Sequence, residues 1–221
     1  TSSRYGFGDH IDTSKLDKWA FFEASQYCSG RNTYTTDGRS GTTDDYNPQT
    51  GKHGLDDGTG TFEPRFSCNV NIQTQEEAYK LINDMCSVFR AMPFWSAGSL
   101  AVAQDRPTDF SYCFSPANVV GGDFVYSGSS LKTRHTCVQV AYMDLDARDI
   151  QYELVEDDDA ISKYGVIKTS ISAFACTSRG QARRLGEWLL YTEQNEGNTI
   201  AFEATADAGV VVRPGDVIQV Y

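Results

Sequence analysis

No apolar run in the sequence approaches the ~20 residues that a membrane-spanning helix needs. The opening stretch "TSSRYGFGDH" has neither the basic start nor the apolar core of a signal peptide, so any targeting signal lies outside the sequence. Positive charge is scarce as well: 19 Lys and Arg against 30 Asp and Glu leave a net charge of −11. Gripping nucleic acid requires clustered cations that displace counterions from phosphate, and an acidic chain excludes that class of function. Histidine is limited to His10, His53 and His135, no serine lies in a GxSxG elbow, and no GxxxxGK[ST] loop is present. Cys28, Cys68, Cys86, Cys113, Cys137 and Cys176 include no CxxC pair and no nearby histidine partner, which excludes a zinc knuckle or a thioredoxin motif and predicts free, mostly buried thiols.

What is present suits a folded protein. In 221 residues, 40% are hydrophobic and 22% charged, with 19 glycines and 12 tyrosines that favour turns and strands. The missing initiator methionine, and an end ("DVIQVY") that reads as a strand, predict a piece of a longer polypeptide. Apolar spacing predicts a helix over Leu16–Cys28 capped by Thr13 or Ser14, then a Gly-, Thr- and Asp-rich insertion at 30–63. "RFSCNVNIQ" alternates like a strand, and Thr74 with Glu77 forms a capping-box pattern ahead of a helix whose inner stripe is Ala78, Leu81, Ile82, Met85, Val88 and Phe89. A hairpin turning at 97–99 follows. The second half reads as strands at "DFVYSGS", "HTCVQVAYMD", "IQYELVE", "VIKTSISAF" and "NTIAFEATA", with a short helical turn at "DDAISKYG". Ser178 caps a helix running to about Asn195, and "VVVRPGDVIQVY" closes the chain as two strands about a turn. The expected fold class is α+β, as two modules: 1–117, carrying the 30–63 insertion, and a strand-rich unit at 118–221 that meets it near Asn118.

Three clusters invite a chemical reading. In "TSRGQARRLGEWLL", Arg179 and Arg183 share a helix face, while Glu187 lies four residues beyond Arg183 and three beyond Arg184. With a single glycine where a phosphate cradle needs a loop of them, this is a capped helix with a salt-bridged face. "VEDDDA" (155–160) lacks the alternating ligands of a calcium loop and reads as a helix-starting acidic run. Asp45, Asn47 and Gln49 do alternate, but Gly51 comes one place late for the sharp turn. His135, beside Arg134, reads as a packed or edge histidine, and Tyr5, Phe7, Tyr112, Tyr126 and Tyr142 as core or cross-strand aromatics. No pair of carboxylates stands out for glycoside hydrolysis. The sequence therefore assigns no catalytic, cofactor-binding or metal-binding residue and calls for no cofactor.

Four phrases in order, "EPRFSCNVNIQTQEEAYKLINDMCSVFRAMPFWSAGSLAVAQDRP", "ANVVGGDFVYSGSSLKTRHTCVQVAYMD", "KYGVIKTSISAFACTSRGQARRLGEWLL" and "RPGDVIQV", resemble the tip attachment proteins of lambda-like siphophages, a family also called host specificity or central tail tip proteins. The resemblance runs from Tyr5 to the end and is interrupted by the insertion, which is longer than the family leads one to expect. It implies a non-enzymatic role in the virion: a homotrimeric hub that closes the tail tube, supports host attachment and lets DNA out. Baseplate-hub-like α+β modules with small β-barrel elements are the implied fold. The implied partners are other tail tip subunits of the distal-tail and tape-measure types, with the host receptor met through regions outside this segment and no stable nucleic-acid binding. Assembly in the bacterial cytoplasm would keep the six thiols reduced. Two alternatives remain: a tail-associated hydrolase of a cell-surface polymer, and receptor binding by the insertion through Tyr34, Tyr46 and His53.

Overall fold

The computed structural model describes residues 12–29, 46–47, 52–53, 55–56, 62–73, 77–96, 98–128 and 134–221. The expectations placed on Tyr5, Phe7, His10, Tyr34, Asp45, Gln49, Gly51 and Thr74 lie outside them, and of Tyr46, Asn47 and His53 only the backbone is described. Helix and strand are mixed throughout, in sheets of two or three strands, and no sheet closes into a barrel among the described residues. The barrels implied by the resemblance would need these open edges to be joined by further strands.

Helix α1 (Lys18–Cys28) starts two residues later than its apolar spacing suggests, because Asp17 rather than Thr13 or Ser14 caps it, accepting from the Trp19 and Ala20 amides. Thr13–Lys15 instead form one 3₁₀ turn capped by Asp12. Two short antiparallel ladders, β1 (Tyr46–Asn47) with β2 (Lys52–His53) and β3 (Leu55–Asp56) with β4 (Phe62–Glu63), lie within the insertion. The expected strand at 66–73 does not form, and Cys68, Val70 and Ile72 are exposed. Its backbone is held sideways: the Gln181 side chain accepts from Ser67 N (3.0 Å) and donates back to Ser67 O (3.2 Å), while Asn69 N reaches Ala175 O at 2.9 Å. A side-chain amide thus takes the place of a neighbouring strand.

Helix α2 (Ala78–Val88) buries Cys86, whereas Met85, assigned to the inner stripe, is 42% exposed. The hairpin β5 (Ala91–Ser96) and β6 (Ser99–Gln104) pairs in register from Ala91↔Gln104 to Ser96↔Ser99. Together with α1 and α2 it encloses one core cluster around Ala24, Cys86 and Val102.

A second core belongs to the three-stranded sheet β10 (Asp149–Glu156), β9 (Cys137–Asp144), β11 (Lys168–Ser172), in that order. β9 and β10 form an antiparallel hairpin, and α3 (Asp158–Tyr164) carries the chain across so that β11 runs parallel to β9. Asp157 caps α3 by accepting from Ala160 N at 3.0 Å, so the acidic run does start a helix. Helix α4 (Arg179–Asn195) lies over the sheet, capped by Ser178 and burying Ala182 and Leu190 against Val138, Val140, Tyr142 and Val155. Gly186 sits at the crossing point, where a Cβ would stand 2.7 Å from a Val155 methyl and 3.2 Å from one of Val140.

A third cluster gathers Phe114 of β7 (Tyr112–Phe114), Val119, and Ala208 of α5 (Ala206–Val211). Val210 and Val211, expected in a strand, end this short helix instead, because it presses Ala208 (1% exposed) into the core and leaves Val210 86% exposed. β13 (Ile218–Val220) returns to pair in parallel with β7, and β8 (Val125–Gly128) pairs with β12 (Asn198–Ala201) as an exposed two-stranded ribbon.

Candidate functional site

The arginine-rich start of α4 is consumed by structure. Ser178 Oγ accepts from Gln181 N, Arg179 Nε meets the buried Glu153 carboxylate at 2.7 Å, and Arg183 pairs with Glu187 at 2.9 Å one turn on. The Glu153 carboxylate raises the Arg179 pKa through its hydrogen bond and its charge. Arg184 departs from the expected local partner and reaches across 121 residues of sequence to Glu63, at 2.8 Å. His135 is packed, as its setting suggests, with its amide donating to Glu193 Oε2 at 2.8 Å and its Nδ1 3.0 Å from the same carboxylate. Tyr142 is core, its phenol pKa raised by burial; Tyr112 stacks near Phe114 at 4.8 Å, and Tyr126 is exposed. Among the described residues no group of three or more His, Cys, Asp or Glu is placed to hold a metal, and all six cysteines are free.

Sequence reasoning missed the place where these elements converge. Beside the outer flank of α4, the Arg90 guanidinium lies 4.8 Å from the Trp188 ring centre and 5.2 Å from that of Phe66, and its Nη2 donates to Arg184 O at 3.2 Å. Trp188 Nε1 donates to Asp105 at 2.7 Å. Burial lowers the Arg90 pKa, and the like charges of Arg65 and Arg184 act in the same sense against Tyr27 and Asp105. Arg90 also has left-handed backbone (φ 55°), as does Ala175 (φ 53°), a conformation that costs a non-glycine residue on the order of 1 kcal/mol. Beside Arg90 opens a cavity of about 580 Å³, walled by the β5–β6 hairpin, α2, α4 and the turn after β11. Its floor is apolar, with Val88, Ala91, Ala103, Ala173 and Leu185, and Gly215 closes one side in the Arg213–Asp216 turn. That turn needs glycine twice over, for a φ of +89° and because a Cβ would run into the Ala103 methyl.

A different kind of surface lies on the far face of the three-stranded sheet. The cross-strand pairs Met143↔Ile150, Ala141↔Tyr152 and Gln139↔Leu154 point away from α4, leaving Ile150 55%, Tyr152 59% and Leu154 51% exposed. Trp19 and Trp95 in the first half, and Val125 and Tyr126 on the β8 ribbon, are uncovered as well. Aromatic and aliphatic side chains grouped on a sheet face mark an interaction surface more than scattered ones do.

A family profile described as "Putative phage tail protein" matches residues 77–221. Tip attachment protein J of Escherichia phage SECphi27 is 37% identical over 223 residues, covering all of this chain and 16% of the relative. The protein of the same name from Escherichia phage SECphi4 is 24% identical, covering 99% of the chain and 17% of the relative. The chain thus spans about a sixth of the length of these relatives. Among solved structures, the tail protein from Neisseria meningitidis MC58 (16% identity, TM-score 0.47) covers 69% of this chain and 47% of its own. The 43 kDa tail protein of prophage MuSo2 from Shewanella oneidensis (15% identity, TM-score 0.43) covers 69% and 44%, and both likenesses are too loose to fix a fold.

Proposed function

The chain belongs to this phage tail protein family, and from that premise we propose that it is a structural segment of a tail tip: part of a central hub that closes the tail tube, supports host attachment and passes the DNA. The observation that carries the reading is the 37% identity to a tip attachment protein along the whole chain. The uncovered apolar sheet face supports it, since such a face is what a subunit presents before neighbouring domains cover it.

In this reading the segment is baseplate-hub-like and non-enzymatic, its two modules divide near Asn118, and the full-length protein is a homotrimer in the virion, assembled in the host cytoplasm. Other tail tip subunits pack on it, and the host receptor is met elsewhere in the longer polypeptide. A net charge of −11 keeps exiting DNA from adhering, because like charges repel over the ~8 Å Debye length of physiological salt. A density map of the intact tail tip, with light scattering on the full-length protein, tests this. A threefold hub with an acidic axial face is expected; a dimer, a basic axial face or a position away from the tube end would overturn it.

A further inference from the structure

The cavity beside α4 joins an apolar floor to a cation that packs on the Trp188 and Phe66 rings but is short of hydrogen bonds. Arg90 Nη2 makes its one hydrogen bond to a backbone carbonyl, and Nε is buried with none. Among the described lining residues Asp105 is the carboxylate nearest to Arg90, and it is held by Trp188. Met92 (49% exposed) and Phe174 (37% exposed) give the mouth an apolar lip. A pocket of this size, mostly apolar with a polar group at one side, is built for a ligand with an apolar body.

We propose that this cavity is a socket for a peptide segment of a neighbouring protein, taking one large apolar side chain on its floor while an adjacent carboxylate pairs with Arg90. Anchoring by a single buried side chain next to a desolvated arginine is how protein interfaces concentrate their affinity. That the neighbour is another tail subunit rests on the reading above; the socket itself does not, and it is tested on the isolated chain rather than on assembled tails.

The three methionines make the test direct, because Met92 lines the cavity while Met85 and Met143 do not. The 221-residue chain, carrying ¹³C-methyl methionine, is titrated with acetyl-Gly-Phe-Asp-Gly-amide, with its Asp→Asn counterpart, and with decanoate. The acidic peptide is expected to move the Met92 methyl alone, with a Kd of about 1 mM or tighter, and the Asn peptide to bind about tenfold more weakly. Arg90→Gln should weaken the acidic peptide by about the same factor, and Asp105→Asn, which removes a competing carboxylate while leaving an acceptor for Trp188, should tighten it several-fold. Should Arg90→Gln fail to fold, Asp105→Asn still decides. No Met92 shift at about 10 mM peptide, equal affinity for the Asp and Asn peptides, an unchanged affinity in Asp105→Asn, or a response to decanoate alone would each overturn the socket.

Discussion

The two faces of the β10–β9–β11 sheet are built from the same strands with similar apolar content, yet they end in opposite environments. On the inner face Val138 and Val140 are 0% exposed beneath α4, and on the outer face Tyr152 and Ile150 are more than half exposed. Alternation along β9 and β10 makes both faces possible; the presence of a covering helix decides which becomes core. The inner face therefore carries the stability of this unit, and the outer face is apolar for a reason that the described residues do not supply.

The sharpest way to break the inner face is to empty it. Leu190, 4% exposed against the sheet, should cost about 3 kcal/mol on replacement by Ala, read as the midpoint shift in urea denaturation. Gly186→Ala comes next, at about 2 kcal/mol, because the new methyl meets the Val155 side chain and the clash outweighs the gain in helix propensity.

Proton release sharpens the contrast from another side. The thiols of Cys137 and Cys176, in this sheet unit, have pKa values raised above the ordinary 9.0 by burial, with Glu156 adding to the effect at Cys137. Below that value both folded and unfolded chains hold these protons, so stability is level. As pH rises past it the unfolded chain ionises first, and stability falls by about 1.4 kcal/mol per pH unit for each such thiol. Denaturation midpoints taken from pH 8 to pH 10.5 should decline only in the upper part of that range, and Cys176→Ala should make the decline shallower. Smaller again is Ser178→Ala, which removes the cap of α4 and should cost about 1 kcal/mol.

The contrast also explains what was legible in the sequence. Helix α4 was, because a cap serine and the Ala182, Leu185 and Leu189 spacing are local signals, and so were β9 and β10 as strands, although not their pairing with each other. The stretch at 66–73 was misleading, since its alternation is that of a strand while its backbone is satisfied by Gln181, 114 residues from Ser67. The Arg90 cluster failed for the same reason. Its members come from residues 63 to 188, and a nearer partner, Glu187, made the Arg184–Glu63 pair invisible. Asp17 took the cap of α1 from Thr13 and Ser14 because all three are competent caps and spacing alone does not rank them.

The smallest expected effect on stability carries the most about function. Tyr152→Ser, on the outer face, removes a side chain that stands 59% exposed and makes no buried contact with α4, so the isolated chain should change by no more than about 0.5 kcal/mol. If that face is covered in the assembled tail, the same substitution leaves a polar hydroxymethyl group against an apolar partner, and assembly should drop although folding is intact. Urea denaturation of the isolated chain and the yield of complete tails from the full-length variant separate the two. A large loss of stability would mean that the outer face belongs to the fold after all, and normal tail yield with normal stability would mean that its apolar side chains serve no interface.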